Sequence, residues 1–191
     1  MARMPLIHLV QPSHFNSLKG SEERWRAPPK NWYRANTDAA FKDGRAALVL
    51  VLRDEKGKVL YLASKLDSAN SAKEAELKAL VWGFEKAKME SWELVVWSSD
   101  ALNVVKEVES CDEPVCWESR YSVLFCRGLL KEESWKLMRN ARSANIVADL
   151  SAKFTTNTSL LFSRLDNLFT LLSVSILNGI VEDQLGVGLS L

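Results

Sequence analysis

An uninterrupted apolar run, Ala46 to Leu52, sits between Asp43 and the polar stretch Arg53-Asp-Glu-Lys-Gly57. Such a run, closed off by turn chemistry, suits a strand covered on both faces at the centre of a sheet. A central strand needs neighbours, and the sequence supplies them at once. Asn36-Thr-Asp-Ala-Ala-Phe41 reads as a strand before it and Lys58-Val-Leu-Tyr-Leu-Ala63 as one after it, with Gly57 free to take positive φ in the turn. An antiparallel meander therefore opens the domain.

The pattern then changes period. Ser71 can cap a helix with Glu74 in the capping-box position, and Leu77, Leu80, Val81, Phe84 and Ala87 form a helical stripe. Glu76 lies beside that stripe, at the rim of the core. Trp92 to Trp97 predicts a fourth strand, and Asp100 falls at its carboxyl end, where α/β sheets collect ligand-binding groups. A helix over Ala101 to Val108, a break at Cys111-Asp-Glu-Pro114 and a helix over Ser119 to Lys131 follow. A short fifth strand over Trp135 to Met138 leads to a helix over Asn145 to Phe154, with Asp149 near its start. The order βββαβαβα implies an α/β fold: a mixed five-stranded sheet, three antiparallel strands then alternating α and β, flanked by helices.

Three stretches divide the chain. Residues 1–34, with Pro5, Pro12, Pro28 and Pro29, read as a linker or N-terminal arm; 35–156 form the domain; 157–191 are an apolar helical extension. In the extension Leu161, Leu165, Leu168, Phe169, Leu172, Ile176 and Ile180 predict a helix from about residue 160 to 177 that docks on the domain or on a partner chain.

Composition narrows the function. A net charge of +1 gives no global attraction to nucleic acid, so any basic surface is local. The cysteines Cys111, Cys116 and Cys126 have no zinc spacing and an odd count, which points to a reducing intracellular compartment, nucleus or cytoplasm, rather than secretion. The apolar run near Met1 is too short for a secretory signal. Leu168 to Val181, interrupted by Asn178 and Gly179, falls short of a membrane span. Both histidines, His8 and His14, lie in the arm, away from every acidic segment, which argues against Ser/His/Asp and Cys/His catalysis.

What remains is carboxylate chemistry. Asp38, Glu76, Asp100 and Asp149 come from four segments that strand, helix and strand end could bring to one spot. Oxygen ligands of this kind suit a hard cation such as Mg²⁺. Taken singly, each has an ordinary role open to it: Asp38 in a turn cap, Glu76 on a solvated helix face, Asp100 and Asp149 as helix caps.

Motif order adds to this. Trp25, Pro28, Pro29, then Asn36-x-Asp38-Ala39-Ala40, then Arg53-Asp54-x-x-Gly57, then Ala75-Glu-Leu-x-Ala-Leu80, Ser99-Asp100, and Arg142-x-x-Asn145-x-x-Ala148-Asp149 run in sequence. Each is weak alone; in this order they resemble the ribonuclease H family, most closely the plant ribonuclease H-like domain associated with retrotransposon reverse transcriptases. The resemblance covers roughly residues 25–154. It implies a ribonuclease H-like fold and a hydrolase, an endonuclease cutting the RNA strand of RNA–DNA hybrids. It implies Asp38, Glu76, Asp100 and Asp149 as catalytic metal ligands for two Mg²⁺ ions, with Mn²⁺ able to substitute. Asp38 would bridge, Glu76 and Asp100 would hold one ion, and Asp149 the other.

Nucleic-acid contacts are expected from Asn36, from Asn70 and Ser71 at the RNA 2′-hydroxyls, and from Arg139 and Arg142, beside Lys136, at phosphates. Asn70 and Ser71 could equally be a turn and a helix cap, and the basic residues a solvated edge. Trp82 and Trp97 lie in apolar patterns and read as core; Trp25 and Trp32 are open. Ala39 replaces the Gly common after the first Asp, and no histidine follows His14. A missing proton shuttle typically costs about 10²–10⁴-fold in rate. That keeps a second reading open, a catalytically weak or inactive nucleic-acid-binding module.

Overall fold

The computed structural model describes residues 24–114, 116–162 and 173–188. Five strands, β1 (Tyr33–Lys42), β2 (Arg45–Arg53), β3 (Val59–Ser68), β4 (Val95–Ser99) and β5 (Lys136–Arg139), form one sheet in the order β3-β2-β1-β4-β5. β1, β2 and β3 pair antiparallel; β4 runs parallel to β1, and β5 parallel to β4. Helices α1 (Ala72–Met89), α2 (Leu102–Glu109), α3 (Arg120–Glu132), α4 (Ile146–Thr158) and α5 (Val174–Gly188) complete the described structure. The mixed α/β sheet expected from the sequence is present.

The apolar run Ala46 to Leu52 behaves as its composition requires. Along β2, Leu50 and Leu52 join the core under α1, α2 and α3, with Leu80, Phe84 and Trp97. Val49 and Val51 point the other way, to Val147, Ala148 and Ala152 of α4 and Ile176 and Ile180 of α5. Alternate residues thus feed two cores on opposite faces. Trp97 is fully buried and Trp82 packs at the edge of the core.

Helix α1 starts where the capping signal lies: Ser71 Oγ accepts the Glu74 backbone N–H at 3.1 Å. It lies close on the sheet because Gly83 faces Trp97. A Cβ at that glycine would stand 2.8 Å from Trp97 Cζ3 and 3.2 Å from Thr37 Cγ2. Gly57 takes φ 78°, as its turn requires.

Several boundaries differ from the sequence reading. β3 continues past Ala63 to Ser68, since Lys65, Leu66, Asp67 and Ser68 stay paired with β2 despite their polarity. β4 starts at Val95, because Trp92 N–H donates to Ala87 O and closes the end of α1 instead. α4 extends to Thr158, its last turn held partly by Thr156 and Thr158 hydroxyls donating to Ala152 O and Phe154 O. Ser159 at φ 57° then stops it.

The N-terminal arm was expected to run to residue 34. β1 begins at Tyr33, and before it Trp25 is 3% exposed. Trp25 Nε1 donates to Asn36 Oδ1, and the Arg53 guanidinium lies 4.7 Å from its ring. Of the predicted helix over 160–177, only the two ends fall among the described residues. Leu160 to Phe162 are not helical, and Phe162 exchanges hydrogen bonds with Ser64 of β3, N–H to Oγ and carbonyl to N–H. Leu165, Leu168, Phe169 and Leu172 lie outside the described residues. α5 covers 174–188 and buries Ile176 and Ile180, each side chain worth ~1.5–3 kcal/mol before ordering costs. Its Asp183 pairs with the buried Arg53 at 2.9 Å. Among the described residues no helix is long and apolar enough to cross a membrane.

Candidate active site

Four elements converge at one edge of the sheet. Asp38 comes from the middle of β1, Glu76 from the second turn of α1, Asp100 from just past the end of β4, and Asp149 from the first turn of α4. Asp38, Glu76 and Asp100 each offer an oxygen within 4.8 Å of the others. With Asp149, Arg142, Lys73 and Asn103 they line a cleft of about 410 Å³.

Asp149 is on that cleft but outside the group of three. Its two oxygens accept from Lys153 Nζ at 2.6 Å and Arg142 Nη2 at 3.3 Å. The fourth ligand expected from sequence is therefore engaged by cations here.

The group of three is electrostatically uncomfortable. Asp38 is only 5% exposed. Burial, then the charge of Asp100, pushes its carboxyl up to about 7, even though its hydrogen bond with Glu76 acts the other way. Glu76 is pushed up to about 10, again by burial first and then by Asp38. Its Oε2 is buried without a hydrogen-bond partner. All-oxygen donors, crowded like charges and an orphaned buried oxygen are what a divalent cation would resolve. The residues fit a metal.

Beneath them lies a hydrogen-bond chain that the sequence reading did not assemble. Trp25 Nε1 donates to Asn36 Oδ1, and Asn36 Nδ2 donates to Asn145 Oδ1 at 3.0 Å. Asn145 Nδ2 reaches Thr37 O at 3.1 Å and Asp100 Oδ1 at 3.4 Å. Asn145 belongs to the last sequence motif, four residues before Asp149, and that helical spacing was the available signal. Asn36, expected to contact nucleic acid, is 2% exposed, with its side-chain amide hydrogen-bonded to Trp25 and Asn145.

Asn70 and Ser71 act as the helix cap. Asn70 N–H and Nδ2 both donate to Glu74 Oε2, while Ser71 Oγ accepts the Glu74 N–H. Both residues remain exposed beside Ala72 and Lys73 of the cleft. Arg139 and Arg142 are exposed, Arg142 at the cleft and Arg139 at the end of β5 level with Ser99. Trp32 carries Lys136 Nζ 4.8 Å from its ring centre. None of the three cysteines is in a disulfide.

A family model described as reverse transcriptase-like matches residues 36–155, which holds all four carboxylates. The chain belongs to this family. No curated protein matches it by sequence. Among solved structures, RNase H1 from the halophilic archaeon Halobacterium salinarum superposes with TM-score 0.61 at 21% identity, covering 66% of this chain and 98% of that one. The N-terminal RNase H domain of a Mycobacterium tuberculosis protein gives TM-score 0.58 at 14% identity, covering 67% and 98%. LC11-RNase H1, solved in complex with an RNA/DNA hybrid, gives 0.55 at 19% identity, covering 61% and 91%. At these identities the likeness is one of fold. This reverse transcriptase-like chain carries an RNase H-like domain.

Proposed function

We propose that the protein is a metal-dependent nuclease of the ribonuclease H type, an endonuclease hydrolysing the RNA strand of RNA–DNA hybrids. The observation that carries this reading is the convergence of Asp38, Glu76 and Asp100 within 4.8 Å at a cleft edge, two of them held at raised pKa by burial. Two Mg²⁺ ions (Mn²⁺ as substitute), when bound, would activate the attacking water and offset charge on the leaving oxygen. Asp38, Glu76 and Asp100 would hold metal, and Asp149 would join once released from Lys153 or Arg142. Asn145 keeps the Asp100 carboxylate oriented. Arg142, 74% exposed at the cleft, and Arg139 would meet phosphates; the Ser71 hydroxyl, with its proton free to donate, and Asn70 would face RNA 2′-hydroxyls.

The wider setting belongs to the same proposal: a plant retrotransposon-derived domain acting in nucleus or cytoplasm, with an arm before it and a helical extension after it that offers a surface to a protein partner.

Two observations favour a weaker enzyme, or a module that binds hybrid without useful turnover. Asp149 is paired with Lys153 and Arg142, and no histidine follows His14. A labelled hybrid incubated with protein, with Mg²⁺ or chelator, separates the readings. Internal cuts in the RNA strand that need metal and vanish in Asp38→Asn support the nuclease. Hybrid binding that survives Asp38→Asn without any metal-dependent cleavage supports the binding module.

A further inference from the structure

One cross-strand row carries three cations on a single sheet face. Arg53 of β2 lies opposite Arg34 of β1, which is level with Val96 of β4 and, through it, with Lys136 of β5. Like charges lined up across strands destabilise a sheet. The outer two have their charge answered: Arg53 has Asp183 and the Trp25 ring, although its Nε, like that of Arg34, is buried without a hydrogen-bond partner, and Lys136 lies over Trp32 with its residue exposed to solvent.

Arg34, in the middle, does not. It is 8% exposed, and its Nε is buried with no hydrogen-bond partner. Among the described residues its Nη2 meets only Met138 Sδ at 3.5 Å, a weak acceptor. Among the described residues Arg34 has no ion pair; the charges that bear on it most are Arg26 and Arg53, both repulsive. One step along the same face, Ser98 Oγ is also buried and unpartnered. A water molecule would satisfy the N–H and the hydroxyl but would leave the charge. A buried guanidinium without an anion is strongly unfavourable.

We propose that Arg34, Ser98 and Lys136 form a phosphate-binding site on the β1–β4–β5 face, entered from the β5 edge and separate from the acidic cleft. A guanidinium fork, a hydroxyl and an ammonium on neighbouring strands of one face are the donor types that suit a tetrahedral oxyanion. Access is from β5, where Lys136 and Met138 are exposed, Met138 at 39%. The site stands four residues along β1 from Asp38, about 13 Å. From Lys136 the exposed edge leads through Arg139 towards Asp100. The bound phosphate is either free or carried on a nucleic-acid strand.

The full chain, free of divalent metal, is titrated with inorganic phosphate and with chloride at matched ionic strength, reading melting temperature and heat of binding. Single-stranded oligonucleotides of one sequence, with and without a 5′-phosphate, form the second arm. Saturable one-site binding of phosphate but not chloride is expected, unchanged in Asp38→Asn, weakened about tenfold in Lys136→Gln and absent in Arg34→Met. Preference for the 5′-phosphorylated strand over inorganic phosphate assigns the source to nucleic acid; the reverse preference assigns a free ion. A phosphate response no larger than that of chloride, or one equal in wild type and Lys136→Gln, overturns the site. Lys136 is exposed, so its variant decides the matter even if Arg34→Met fails to fold.

Discussion

Two buried charged regions of this protein are built on opposite logic. At Arg53, a fully enclosed guanidinium is neutralised by Asp183 and laid against the Trp25 ring. At the cleft, Asp38, Glu76 and Asp100 crowd together without a cation among the three, and Glu76 Oε2 is left unpartnered. The first region spends its charge on holding α5 and the Trp25 segment to the sheet. The second keeps charge unspent, at a cost in stability, and so remains free to bind something positive. A buried charge that is already answered is architecture; one that is not points to a ligand.

Substitutions break this contrast in graded steps. The largest effect is expected from Asp38→Asn. Metal-dependent hybrid cleavage should fall by about 10²–10³-fold or more, while the chelated protein should melt higher, because one of the crowded charges is gone. A gel assay and a melting curve on the same preparation check both halves; a variant that melts lower would refute the idea of stored repulsion. The same contrast has a pH form. The Asp38 carboxyl is raised from 3.8 to about 7, so its contribution to stability is complete below the lower value and lost as pH rises through the upper one. Denaturant melts of chelated protein across that window should show the decline, and saturating Mg²⁺ should flatten it.

Next comes Asp183→Asn, which keeps shape but strands Arg53. Breaking a buried pair costs about 3–5 kcal/mol, to be read from urea unfolding, with hybrid cleavage measured on the folded fraction little changed. Asn145→Ala touches neither charge but loosens Asp100; loss of such outer support typically lowers metal affinity about 10–100-fold, measurable by Mn²⁺ titration. The smallest effect belongs to Lys153→Gln. Its bridge to Asp149 is half exposed, and stability should move by less than about 1 kcal/mol. A larger shift would mean that Asp149 belongs with the structural charges rather than the functional ones.

The sequence made the fold legible where periodicity and turn chemistry agree. Ala46 to Leu52, the Ser71 cap and the α1 stripe needed nothing more. It misled where polar residues stay in a ladder, as at Lys65 to Ser68, or where hydroxyls extend a helix through Thr155 to Thr158. The three clustered carboxylates were readable from motif order. The Trp25–Asn36–Asn145 chain was not, because it links residues 109 apart in sequence through amide groups that carry no period. Nor was the Arg53–Asp183 pair, since an isolated Asp in an apolar tail gives no sign of what it will face.

Gly83 has a consequence for chemistry it never touches. Its missing side chain sets how near α1 rides to the sheet at Trp97, and Glu76 sits seven residues earlier on that same rod. Any methyl at 83 would act as a shim under one end of a lever, tilting the other end and changing the gap between Glu76 and Asp38. The spacing of the clustered carboxylate oxygens is thus calibrated from the hydrophobic interior. Drift in metal preference among variants of this chain could arise from a repacked tryptophan with every carboxylate still in place.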